Sequence, residues 1–183
     1  MKKYSAEIPS FDIGKAYDKS CITVVSANVR CYTTGDRGKK NWYYRAPYTV
    51  QTLIDANADI IGLQECMQVH YDCISNALGG YGSFIDFRDD GDNPESCPIF
   101  YNLSKFELIK NGTFWLSETP EKISISWGSA CYRICSYAIL RQVSDGKELA
   151  VFNTHLDHVS EEARVKGIRL ILRSWKNSEV CPA

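Results

Sequence analysis

The chain has 183 residues, 44% of them hydrophobic, which is enough for one domain with a substantial core and short for two. A formal net charge of −1 excludes a global basic field of the kind that draws in polyanions, although a bound cation can supply positive charge locally. No segment approaches the roughly 20 apolar residues of a membrane span, and residues 1–10 lack a signal-like apolar run, so a cytoplasmic protein with no membrane partner is expected.

Residues 1–20 are polar and mixed, and read as an N-terminal arm. Cys21-Ile-Thr-Val-Val-Ser-Ala-Asn-Val29 is β-branched and continuous, the pattern of a buried strand. Thr33 to Lys40 is Gly-containing and basic, hence a loop. A helix follows, with Pro47 in its first turn and Val50, Leu53, Ile54 and Asn57 stepping along one face. Asp59-Ile-Ile-Gly-Leu-Gln64 reads as a second buried strand. Met67, Tyr71, Ile74 and Leu78 then mark a helix that stops at Gly79-Gly80.

From Tyr81 short strands alternate with turns: 81–86, 99–102, 106–108, 113–116, 132–143 and 148–153. Asp145-Gly146 suits a hairpin. A last helix spans about Ser160 to Trp175, with Val165, Ile168, Leu172 and Trp175 on one face. This order predicts an α/β sandwich with sheets inside and helices outside, formed as one domain over residues 21–183. Asn177 to Ala183 follows that helix as a connector would, so the sandwich is expected to be incomplete at its C-terminus.

The eight cysteines form no C-x-x-C pair and have no histidine at zinc-finger spacing, so they read as reduced thiols serving as small hydrophobes.

Three polar residues sit at the ends of apolar strands: Asn28, Glu65 and His155. Strand ends are where α/β proteins gather sites, because side chains from different strands converge on a rigid sheet. A carboxylate and an amide oxygen are hard ligands suited to Mg²⁺ or Mn²⁺, and a nearby histidine would donate to a phosphoryl oxygen. Arg133 and Arg164 are candidate phosphate contacts. Arg88-Asp89-Asp90-Gly91 reads as a loop at the mouth of the site, with Arg88 a candidate substrate contact and a solvated turn as the alternative. Phe114 and Trp115 are read as strand-core residues.

Five runs occur in a recognisable order: Ser26–Arg30, Asp59–Glu65, Glu95–Tyr101, Gly112–Pro120 and Asn153–His158. Together they resemble the endonuclease/exonuclease/phosphatase family of metal-dependent hydrolases. The likeness is greatest to its bacterial branch, which is akin to carbon-catabolite-repressor-type deadenylases, and it extends from Cys21 onward. It implies a four-layer αββα sandwich of the DNase I-like type and hydrolysis of phosphodiester or phosphomonoester bonds, with a nucleic acid as one candidate substrate and no obligate protein partner.

It also implies that Glu65 holds the metal, that Asn28 lies beside it against the scissile phosphate, and that His155 hydrogen-bonds a phosphate oxygen. Glu95 would pair with His155, raising its pKa and fixing its tautomer. Asp157 and His158 belong to the branch's signature, and two roles are open for them: lining the substrate side, or capping the loop before the last helix.

Two family motifs, Gly-Asp-x-Asn and Ser-Asp-His, do not occur in this sequence. They would orient the attacking water, supply the general base and complete the metal site. Their absence leads to the expectation that this chain is nearly inactive and prone to aggregate, or, alternatively, that it is a non-catalytic scaffold of the same fold.

Overall fold

A computed structural model describes residues 21–176. The expected arm over 1–20, Cys181 and the connector from residue 177 lie outside the described residues. The elements are β1 (Val24–Asn28), α1 (Trp42–Ala56), β2 (Ile60–Gln64), α2 (Gln68–Ala77), β3 (Tyr81–Phe84), β4 (Ile99–Asn102), β5 (Phe106–Trp115), β6 (Ile134–Gln142), β7 (Glu148–Thr154) and α3 (Glu161–Lys176). No helix among the described residues is long and apolar enough to cross a membrane.

The strands form two sheets, ordered β1-β2-β4-β3 and β5-β6-β7. β1 and β2 are parallel, as a crossover through α1 requires, and the other pairs are antiparallel. Side-chain alternation sorts the core into three layers. Ile61, Leu63 and Phe100 face outward onto Trp42, Leu53, Ile74 and Leu78 of α1 and α2. Ile60, Ile99 and Tyr101 face inward onto Phe106, Ala138 and Leu140 of the second sheet. Leu116, Cys135 and Phe152 meet Ile171 and Leu170 of α3 on the far side. The result is the expected αββα sandwich.

Several local expectations change. Pro47 is the sixth residue of α1, not part of its first turn, because Asn41 caps the helix earlier by accepting from the Tyr43 N–H. Asn57 is the left-handed C-cap of α1 and not a face residue. The two strands expected over 106–108 and 113–116 are one strand with a bulge between Leu108 and Lys110. The face of α3 is reversed: Val165, Ile168, Leu172 and Trp175 are exposed, whereas Ala163, Gly167 and Ile171 are buried. Small residues pack there because the sheet comes close; a Cβ on Gly167 would lie 3.2 Å from Leu116 Cδ1.

One polar contact ties the two sheets. The buried Asn153 of β7 accepts from Gln64 Nε2 at 2.7 Å and donates to the carbonyls of Leu63 (2.8 Å) and Pro98 (2.9 Å). Gly62 leaves the room for it, since a Cβ there would sit 2.8 Å from Asn153 Cγ. Gly62→Ala should therefore destabilise the fold by about 2–3 kcal/mol, through overpacking and loss of buried hydrogen bonds, as read from urea unfolding.

His70, at the start of α2, is fully buried, accepts from the Met67 N–H at 3.0 Å and meets the Trp42 ring edge-on at 4.3 Å. Burial and the nearby Arg45 push its pKa down to about 4. The unfolded chain protonates this ring near 6.5, so the stability carried by the neutral form is complete above pH 6.5 and is lost as pH falls from 6.5 toward 4. Unfolding free energy measured at pH 7 and pH 5 should show that drop, and His70→Gln should reduce it.

Candidate active site

Glu65 follows β2 directly and has a left-handed backbone, with φ of 55°. A non-glycine residue in that region is strained and persists only when its neighbours enforce it. Here they do. Cys66 exchanges backbone hydrogen bonds with Ser96, and the Ser96 hydroxyl donates to the Cys66 carbonyl at 2.6 Å. The Tyr32 N–H donates to Met67 Sδ, drawing the loop after β1 onto the same corner.

The kink presents the Glu65 carboxylate to two fixed donors. Asn28 Nδ2 donates to Oε1 at 2.8 Å, and the Cys31 N–H donates to Oε2 at 2.8 Å. Burial alone would raise this carboxyl, but those hydrogen bonds outweigh it and hold the group below the ordinary carboxylate range. Asn28 Oδ1 is itself occupied, accepting from the Arg30 N–H at 2.8 Å. In this network the Asn28 amide oxygen is turned to the backbone and its NH₂ braces Glu65.

Glu65, Arg88, Glu95, Tyr132, Arg133 and His155 line one recess, together with Ser96, Cys97 and Ile134. The strand-end reading thus brought Glu65 and His155 to one place. The expected pairing of Glu95 with His155 is not what the structure has. Glu95 pairs with Arg88 at 2.8 Å, because the Arg88 N–H donates to the Glu95 carbonyl and sets the two side chains face to face. Burial raises the Glu95 carboxyl, and Arg88 offsets this only in part. His155 is pushed below its ordinary value by burial and by Arg133, and its Nδ1 is buried without a partner among the described residues. It is therefore neutral at pH 7, the reverse of the expected rise.

For Asp157 the structure decides between the two open roles. It is 3% exposed and accepts from Ser129 Oγ and from the N–H groups of Ala130, Val159 and Ser160, all within 3.0 Å. It braces the loop before α3 and does not line the recess, which corrects its assignment to substrate. Burial would raise its carboxyl, but these donors hold it far below the ordinary range. His158 is exposed and its Nδ1 lies 3.0 Å from Arg133 Nη2. Arg164 donates to the Asp157 carbonyl, so it too is tied to this loop. Trp115 Nε1 donates to the Arg88 carbonyl, and Phe114 packs in the outer core, as strand-core residues should. Sequence reasoning did not find Asn153 or Gln64 as the clasp beside the site. A buried amide one or two residues before a candidate group on each strand was the available signal.

A divalent cation would fit Glu65 in chemistry. Its carboxylate is ionised and oriented, and each oxygen retains acceptor capacity beyond its one hydrogen bond. Among the described residues no group of three or more His, Cys, Asp or Glu is gathered to hold a metal, so such an ion would keep most of its water.

No protein-family model matches the chain. An endonuclease/exonuclease/phosphatase family protein of Bacteroides thetaiotaomicron superimposes with a TM-score of 0.81 at 36% identity, over 86% of this chain and 59% of that one. The mannosyl-6-phosphatase of the same organism gives 0.80 and 36%, over 86% and 60%. The RNA exonuclease NGL1 of Saccharomyces cerevisiae is 25% identical over 181 residues, 78% of this chain and 50% of its own length. The chain thus spans about three-fifths of these solved structures and a quarter to a half of the curated relatives it matches. Its two-sheet sandwich, the ordered motifs that build its recess and this degree of likeness identify the chain as a member of the endonuclease/exonuclease/phosphatase family.

Proposed function

We propose that the chain carries part of the active site of a divalent-metal-dependent phosphate-ester hydrolase, acting on phosphomonoesters or phosphodiesters. The observation that carries this reading is the Glu65 carboxylate, held ionised on a strained kink and opening into the same recess as a neutral histidine and a buried arginine.

Phosphoryl transfer is limited by charge on the phosphoryl oxygens and by activation of water. Mg²⁺ or Mn²⁺ bound through Glu65 would supply Lewis acidity and acidify a bound water. The remaining tasks fall to the chain itself. Asn28 and the Cys31 N–H keep the carboxylate aimed. The neutral His155 donates one ring N–H to a phosphoryl oxygen, and Arg133 supplies fixed positive charge beside it. Arg88, held by Glu95, forms a second cationic edge.

A mannosyl phosphatase at 36% identity and an RNA exonuclease at 25% favour the two ester classes in turn, so both belong in the assay. Held through Glu65 alone among the described residues, the ion would keep most of its water, so metal half-saturation on the order of millimolar is expected.

With p-nitrophenyl phosphate and bis-p-nitrophenyl phosphate as substrates, EDTA should abolish turnover and Glu65→Ala should reduce it at least about 100-fold. His155→Ala should cost about 100- to 1000-fold in kcat. Asn28→Ala should weaken metal activation about 10- to 100-fold while leaving the fold intact. Turnover that survives both EDTA and Glu65→Ala would count decisively against this reading.

A further inference from the structure

Arg133 immediately precedes β6, lines the recess and is 7% exposed. A guanidinium carries five N–H donors and stays charged, so burying it demands partners. Few are present. Nε reaches Asp157 Oδ2 only at 3.5 Å, and Nη2 lies 3.0 Å from His158 Nδ1. Nη1 makes no hydrogen bond among the described residues. A buried cation is thus held along one edge and has donors to spare where it meets the recess.

The two groups that hold it are themselves defined. The Asp157 carboxylate is fixed by four further donors, so it cannot follow Arg133 if the arginine moves. Arginine cannot accept a hydrogen bond, so His158 must offer Nδ1 as a lone pair and carry its proton on Nε2. Neither Asp157 nor His158 lines the recess.

We propose that Asp157 and His158 are positioning residues that clamp one edge of the Arg133 guanidinium, leaving its Nη1 edge to receive the oxygens of a phosphoryl group bound in the recess. The planar fork suits two oxygens of one phosphate, which a lysine ammonium does not match. This inference rests on the phosphate-ester reading, and it assigns to His158 an effect on phosphate affinity exerted through another residue.

The test is calorimetric titration of the 183-residue chain with inorganic phosphate, alongside thermal unfolding of each variant. His158→Ala should weaken phosphate binding about tenfold while the variant still unfolds in one cooperative transition, because the exposed imidazole is not part of the core. His158→Asn, whose Oδ1 stands where Nδ1 does, should restore most of the affinity. Arg133→Lys should also weaken binding about tenfold or more, and the His158→Ala, Arg133→Lys double variant should be no weaker than Arg133→Lys alone. Wild-type affinity in His158→Ala, no rescue by asparagine, or losses that multiply in the double variant would each overturn the inference while leaving the hydrolase reading intact. A wild-type chain that takes up no phosphate at millimolar concentration would overturn both.

Discussion

The site depends first on a buried amide. Asn153 reaches across the sandwich from β7, accepting from the Gln64 side chain and donating to the carbonyls of Leu63 in β2 and Pro98 just before β4. Sheets that meet only through Ile60, Ile99, Ala138 and Leu140 slide at little cost, because apolar contact is non-directional. Three hydrogen bonds in a dry interior do not slide, since each displaced group would be left unsatisfied. Gln64 immediately precedes Glu65, and Asn153 lies two residues before His155. The clasp therefore fixes the offset between the carboxylate on one sheet and the imidazole on the other.

The recess then combines groups whose surroundings drive them in opposite directions. Glu65 is held ionised by donors, burial raises the Glu95 carboxyl against the opposing pull of Arg88, and burial beside Arg133 lowers His155. Divergent environments of this kind separate the titration of neighbouring groups in one small cavity. The buried thiols of Cys66 and Cys97 are not poised as nucleophiles. Burial pushes the Cys66 and Cys97 thiols up to about 12, as expected of thiols used as small hydrophobes.

The layer architecture was legible because β2 and β6 are apolar on both faces and α1 and α2 on one, and such runs declare burial without reference to the rest of the chain. Ile99–Asn102 was read to the residue. The α3 face was not legible. Val165, Ile168, Leu172 and Trp175 have the spacing of a packing stripe, yet a spacing says nothing about how closely a sheet approaches, and close approach selected Ala163 and Gly167 instead. Glu65 and His155 were legible as strand-end residues. The partners of Glu95 and Asp157 were not, because each is supplied by another turn: the Arg88 backbone and the Ser129–Ala130 loop.

The left-handed backbone at Glu65 has a consequence for how this position tolerates change. A glutamate there costs the fold on the order of 1 kcal/mol that glycine would not. Substitution by glycine would relieve the strain and remove the carboxylate in one step. It would also release Asn28 and the Cys31 N–H from the acceptor they share, so at position 65 the strain of the corner and the hold on the loop after β1 are gained or lost together.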